Sequence, residues 1–339
     1  MIVVHLCARR ARRMEWTIIA VPASPAPPIA PRSVRFMPPV PRSLLFVPGN
    51  RPDMFQKAAD APADALMPDM EDAVPWGEKP VARREIAANL EQFASSGVPV
   101  IPRLNSLDTG LFDEDLEAVM GTLIAGVSVG KVRSAGDVRR IASAITASER
   151  RNGLQPGSIA LYPWIETARA VVAAYDVCNA SPRIAAVCFG AEDYSNDAGI
   201  PRDLGDWRSS TSSGHRAGDD SAGPALAHAR GAIVAGAVAA GVGAIDTPYI
   251  AFRDQEGLAR EVEMARSIGF DGKFAIHPAQ LDVINNGFTP GEEGLANAAR
   301  IVDTAAAAEE QGIGATSLDG KMIDRPTIVR ARALLARTG

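Results

Sequence analysis

Ionisable side chains recur at one kind of place in this chain, directly after short apolar segments. Asp69, Glu71 and Asp72 follow ALMP, Arg103 and Asn105 close PVIPRLN, Lys131 follows GVSVG, and Glu166 follows ALYPWI. Glu192 and Asp193 follow AVCFGA, Asp246 follows VGAI, and His277 follows KFAI. Carboxylates drawn from neighbouring segments suit Mg²⁺, a hard ion that takes oxygen ligands and usually keeps waters and substrate in its octahedron. Glu166 and Asp193 are the best such pair. Positions 166 and 193 differ by 27, close to the roughly 30 residues of one strand–helix unit in an eight-fold barrel, so the two acids would stand side by side at its mouth. The alternative for each is a surface acid capping the helix that follows. Arg103 could grip a carboxylate with two parallel hydrogen bonds, or pair with the Asp69 to Asp72 cluster. Arg51 and Lys57, over a loop and a first helical turn, could reach phosphates or be solvated charge. His277 reads more simply as a structural hydrogen-bonding residue, and His5, His215 and His228 have no metal-ligand pattern.

The elements that must position these groups alternate. Eight β-rich segments (43–47, 64–68, 99–104, 122–129, 158–165, 184–190, 242–249 and 273–277) are separated by stretches with amphipathic helical spacing, among them 78–93, 135–150, 166–179 and 257–268. Such alternation implies a parallel sheet, and eight repeats favour a closed (β/α)₈ TIM barrel, whose chemistry sits at the carboxyl ends of its strands. The barrel is expected over 41–289, with a helical extension over 290–339. The polar, Gly/Ser-rich stretch from Trp207 to Pro224 reads as a loop after the sixth strand. Residues 1–40 differ from the rest: Arg9 to Arg13 is basic, Trp16 to Val21 is apolar, and PASPAPPIAPR follows. That run is short and Glu15 abuts it, so a disordered arm or a non-native extension fits better than an export signal.

Composition narrows the function classes. A net charge of -5 and a pI near 5.5 argue against a nucleic-acid partner, which calls for a basic face. Three cysteines, Cys7, Cys178 and Cys188, without CxxC spacing suggest neither a disulfide framework nor a thiolate zinc site, and the default compartment is the cytoplasm. No apolar run approaches the ~20 residues that cross a bilayer, so no membrane partner is expected.

From about Pro41 to Arg332 the chain resembles the citrate lyase beta-subunit and malyl-CoA or citramalyl-CoA lyase family, within the wider HpcH/HpaI aldolase group. The resemblance rests on RSLLFVPGNRPDMFQKA, ALMPDMEDAV, PRLNSLDT, GKV, IETARAV, FGAEDYSNDAG, AIDTPYIAFRDQEGL, GFDGKFAIHPAQ and DGKMIDRP, in that order. It implies a Mg²⁺-dependent carbon–carbon lyase acting on a CoA thioester and a small 2-oxo acid. By the same resemblance Glu166 and Asp193 hold the metal and Arg103 binds the oxo-acid carboxylate. Phe46, Arg51 and Lys57 meet CoA, and the Ile276–His277 backbone lines the same groove. Asp324 is the implied acid/base, on a tail packed against a neighbouring subunit of a homotrimer or hexamer. This chain departs from the family at Gly130–Ser134, where relatives often read PKVES. A class II aldolase of the same group would carry DxEHA after the second strand, and here Asp69-Met70-Glu71-Asp72-Ala73 lacks the histidine. A non-catalytic barrel subunit is the remaining alternative.

Overall fold

The computed structural model describes residues 40–200, 224–310, 312 and 314–336. The expected N-terminal arm up to residue 39 and the Trp207 to Gly223 stretch lie outside the described residues, and Pro224 opens a helix (Pro224–Ala240).

Eight parallel strands close into a barrel: β1 (Ser43–Pro48), β2 (Ala65–Asp69), β3 (Arg103–Leu104), β4 (Gly126–Val132), β5 (Ala160–Ile165), β6 (Ala186–Phe189), β7 (Gly243–Asp246) and β8 (Gly272–Ala275). Each strand pairs with the next in the chain, and β8 returns to β1. The fold is therefore the expected (β/α)₈ barrel with extra C-terminal helices. The third strand is much shorter than the segment 99–104 suggests, because Pro99 and Pro102 cannot donate to a ladder; only a bridge from Val100 to Leu66 precedes Arg103.

Strand alternation sorts the side chains into two layers. Leu45, Val47, Leu66, Leu104, Val127, Val129, Leu161, Val187, Ala244 and Ala275 join the apolar layer between sheet and helices. The opposite parity fills the barrel. There Phe46, Trp164 and Phe274 form an aromatic cluster, with ring centroids 4.5–5.9 Å apart. The Trp164 indole N–H donates to Ser128 Oγ at 2.7 Å, which satisfies the one polar atom this burial would otherwise strand.

Capping fixes where several helices begin. Ser134 Oγ accepts from Asp137 N at the start of Ala135–Arg151, and Asp254 accepts from Gly257 N at the start of Gln255–Ile268, which ends on Gly269 in the left-handed region at φ 112°. The segment 166–179 is not one helix. Thr167 caps a short helix, Ala168–Val172, a second follows at Ala174–Cys178, and Glu166 belongs to the end of β5. The stretch 78–93 likewise breaks at Asn89, whose side-chain amide donates back to the Glu85 carbonyl.

After residue 290 come the helices Glu292–Glu310 and Arg325–Leu335, with a hairpin, β9 (Thr316–Leu318) and β10 (Lys321–Ile323), between them. The hairpin is not evident from sequence, since three-residue strands are too short to show a period. These elements pack chiefly on one another. Among the described residues no helix is long and apolar enough to cross a membrane.

Candidate active site

Side chains at or just beyond the carboxyl ends of β2, β3, β4 and β5 meet at the barrel mouth. Asp69 and Arg103 are register partners across β2 and β3, and both face inward. Arg103 Nε and Nη2 donate to the two Asp69 carboxylate oxygens at 2.7 and 2.6 Å, while Nη1 lies 3.2 Å from Glu71 and 3.3 Å from Asp72. Its guanidinium also covers the Phe46 ring, 4.6 Å from the centroid. The bidentate edge expected for an oxo-acid carboxylate is thus engaged by Asp69, and the Nη1 side is what Arg103 turns toward the acidic cluster. Asp69 is held in turn by the backbone amides of Glu71 and Ala73.

A bulge in β4 sets the next pair. The register with β5 shifts between Val129 and Val132, and Lys131 sits at φ 57°, a left-handed conformation uncommon for a side chain of its size. This turns its amide onto Glu166 Oε1 and its ammonium onto Glu71 at 3.2 Å and Asp72 at 2.9 Å. Two glycines make the room. A Cβ on Gly130 would meet both Glu71 carboxylate oxygens at 2.7 and 2.8 Å and Glu166 Oε1 at 3.1 Å; one on Gly190 would collide with Glu166 Oε2. The proline of many relatives at the first of these positions could not be accommodated without moving Glu71. Asp193 enters from the first turn of the Ala191–Asp197 helix and is partly exposed.

The charges do not balance. Among the described residues, Asp69, Glu71, Asp72, Glu166 and Asp193 face only Lys79, Arg103 and Lys131, and Lys79 spends its ammonium on the Met70 and Glu71 carbonyls. Burial, reinforced by Glu71 and Asp193, pushes the Glu166 carboxyl up to about 8. Burial also lifts Glu71 to about 7 against the pull of Arg103, and raises Asp193. A site short of positive charge with two buried, destabilised carboxylates fits a divalent cation. Among the described residues no three His, Cys, Asp or Glu side chains converge as a ready-made metal cage. Glu166 and Asp193 would supply two carboxylates and leave other positions to water and substrate, as Mg²⁺ sites commonly do.

Beside this cluster a cavity of about 240 Å³ opens between β1, the Phe55–Ala59 helix and the end of β8. Phe46, Lys57, Ile276 and His277 all line it, with Met54 and Ala58. Arg51 does not; its guanidinium is engaged by Asp53 on the surface. His277 Nδ1 accepts from Ala279 N, so that ring is held as a cap. Asp324 is not brought to the mouth by its own chain. It caps the Arg325–Leu335 helix, where the amide and hydroxyl of Thr327 hold its carboxyl below the usual range.

Asp246 proves to be something else. It shares the parity of Ala244 and faces the helices, where Arg230 and Lys273 bond it at 2.9 and 2.8 Å and Glu261 completes the group. Asn105 is drawn away from the mouth as well, its amide donating to Asp115 at 2.6 Å. Sequence reasoning missed the roles of Gly130, Gly190 and the Lys131 amide. Glycine next to a strand-end acid was the available signal for the first two.

The sequence profile of the HpcH/HpaI aldolase/citrate lyase family matches residues 42–278. The chain is 36% identical over 296 residues to the citrate lyase subunit beta of Escherichia coli strain K12, covering 87% of this chain and 92% of that one. It is 31% identical over 311 residues to the L-malyl-CoA/beta-methylmalyl-CoA lyase of Rhodobacter capsulatus, covering 89% and 97%. Among solved structures it resembles protein CitE from Mycobacterium tuberculosis in complex with magnesium, acetoacetate and coenzyme A, with a TM-score of 0.69, 30% identity and coverage of 88% and 98%. With its barrel, its acid-rich mouth and these matches, the chain belongs to the HpcH/HpaI aldolase/citrate lyase family.

Proposed function

We propose that this protein is a Mg²⁺-dependent carbon–carbon lyase that splits a β-hydroxyacyl-CoA into an acyl-CoA and a small 2-oxo acid, or forms it by the reverse Claisen condensation. The observation that carries this reading is a junction. Phe46 is at once a wall of the apolar cavity and the ring beneath Arg103, so a thin apolar chain lying in the cavity would end beside the buried carboxylates. A pantetheine thioester has that shape. Lys57 at the cavity rim suits its phosphates, and Arg51 could join once released from Asp53. The names of the relatives, which include a malyl-CoA lyase and a structure holding coenzyme A, support the same substrate class.

Mg²⁺ held by Glu166 and Asp193 would polarise the carboxylate and hydroxyl oxygens of the part that becomes the oxo acid. Arg103, locked by Asp69, would orient that carboxylate with its Nη1 side. As the carbon–carbon bond breaks, its electron pair moves to the carbon alpha to the thioester carbonyl, giving the enolate; the hydroxyl proton departs as the oxo group forms, and the α-carbon must gain a proton. Asp324 of a neighbouring copy is our candidate for that transfer, within a homotrimer or hexamer. The class II aldolase alternative lacks its base, since the residue at the expected histidine position is Asp72, paired with Arg103 and Lys131.

The test is a mass-spectrometric screen of purified protein with acetyl- or propionyl-CoA, a panel of 2-oxo acids and Mg²⁺. A condensation product that disappears with EDTA is expected. Absence of product from every pair, or turnover indifferent to EDTA, would reject the reading; hydrolysis of the thioester alone would identify a different reaction on the same site.

A further inference from the structure

His277, which lines the apolar cavity, is the first rung of a three-residue stack. Its ring stacks on Phe252 with centroids 4.9 Å apart and planes 22° from parallel, and the Arg253 guanidinium carbon lies 5.3 Å from the Phe252 ring centre. The imidazole is fixed by its bond from Ala279 N, and Asp254 caps the helix that follows Arg253. The His277 ring is therefore anchored, and the backbone that follows Arg253 is fixed by the helix cap. Arg253 and Lys57 are exposed, and among the described residues neither makes an ion pair. Other described cations here are engaged: Arg51 by Asp53, Arg103 by Asp69, and Lys131 by Glu71 and Asp72.

We propose that Phe252 and Arg253 are the recognition element for the nucleotide end of the CoA thioester, with Arg253 and Lys57 taking its phosphates from two sides of the cavity. The proposal rests on the CoA reading above and adds what distinguishes the full carrier from its pantetheine arm. An arginine laid over an aromatic ring is already partly desolvated and oriented, so less freedom is lost when it binds phosphate than for an arginine free in water. The cavity, lined mainly by apolar groups and only about 240 Å³ in volume, suits the uncharged arm. The polyanionic end must lie outside it, and the Phe252–Arg253 shelf adjoins its His277 rim.

Calorimetric titration with acetyl-CoA and with acetyl-pantetheine, which lacks the nucleoside and all three phosphates, separates the possibilities. Wild type should bind acetyl-CoA the more tightly. Arg253→Ala should weaken acetyl-CoA about tenfold, as expected for loss of one charge-assisted phosphate contact, and Arg253→Glu should weaken it further. Acetyl-pantetheine should change less than about twofold in both. The loss should shrink at high salt, where an exposed charge pair is screened. Phe252→Leu, which keeps apolar bulk but loses the ring stack, should fall between wild type and Arg253→Ala. Equal losses for both ligands, or none for either, would overturn the assignment while leaving the thioester reading intact. A wild type that binds acetyl-pantetheine as tightly as acetyl-CoA would also overturn it. Failure of wild type to bind either thioester would remove the CoA reading itself and the assignment with it.

Discussion

Two buried ionic clusters, built from the same residue types, occupy opposite faces of the same sheet. Outside β7 and β8, Asp246 and Glu261 meet Arg230 and Lys273, two acids against two bases, all four essentially without solvent exposure. Although burial opposes it, Lys273 and Arg230 hold the Asp246 carboxyl below its ordinary range. Inside the mouth, among the described residues, five carboxylates share three cations, and Glu166 and Glu71 are both pushed up. Burial raises the cost of charge at both places; in the first, two bases match two acids and Asp246 is lowered although burial leaves Glu261 raised, whereas in the second both buried glutamates are raised. The difference is the one expected between an electrostatic brace and the cation site proposed above. A balanced cluster joins helices to the sheet; an unbalanced one has a use for what it lacks.

Substitution of the two acids proposed to hold the metal should break the comparison most sharply. Glu166→Gln and Asp193→Asn should each abolish Mg²⁺-dependent turnover, a loss of about 10³-fold or more given the several kcal/mol a Lewis acid supplies. The fold should be kept, because each change removes charge from a site with too much of it. Wild-type activity in either variant would mean that the surplus has no catalytic purpose.

Next in size is Asp324→Ala, expected to cost 10²- to 10⁴-fold, as the loss of a positioned acid or base does. This asks whether the mouth is complete within one chain. Co-expressed Asp324→Ala and Glu166→Gln proteins should regain part of the activity if one site draws on both chains. Demonstrated mixed oligomers without recovery would confine Asp324 to the helix cap seen here.

The brace should answer differently. Arg230→Ala leaves Asp246 and Glu261 to share Lys273 alone, one buried charge uncompensated, and should cost about 3–5 kcal/mol of stability, read from denaturant unfolding. The molecules that remain folded should keep near-normal activity. A large activity loss without destabilisation would make the two clusters functionally alike.

Arg103→Lys tests a residue with one foot in each role. A point charge cannot reproduce the fork on Asp69 or the plane over Phe46, so activity should fall at least tenfold, roughly 1.4 kcal/mol. A value within about threefold of wild type, less than 1 kcal/mol, would demote it to a structural ion pair.

The smallest effect belongs to a half-exposed pair used as a control. Arg42 bonds Asp64 at 2.7 Å through both Nε and Nη2; burial works against the Asp64 carboxylate, but the Arg42 donors outweigh it and lower its pKa. A lowered folded-state value means stability that is present above the ordinary carboxylate pKa of about 3.9 and lost as pH falls through the lowered one. Asp64→Asn should therefore cost less than about 1 kcal/mol at pH 7, and the cost should vanish in strong acid. A melting-temperature difference that does not vary with pH would contradict this.

Eight alternations of apolar strand and amphipathic helix are enough to dictate a closed parallel barrel, because period and count depend on local spacing alone. The same spacing placed Glu166 and Asp193 one unit apart, and the family motifs marked Phe46, Lys57, Ile276 and His277, which do share one cavity. What lay beyond the sequence was direction. Asp69 and Asp246 each end an apolar strand, yet one faces Arg103 inside the barrel and the other faces Arg230 on a helix. A one-residue change of parity reverses the face of a strand side chain, and strand ends only two to four residues long give too little pattern to fix it. Lys131 needed a bulge, Arg103 needed its register opposite Asp69, and Gly130 mattered only because two carboxylates from other strands fill the place of its missing Cβ. These are relations between segments distant in the chain. Closure of the barrel brings the segments together, and packing in three dimensions decides which of their charges meet.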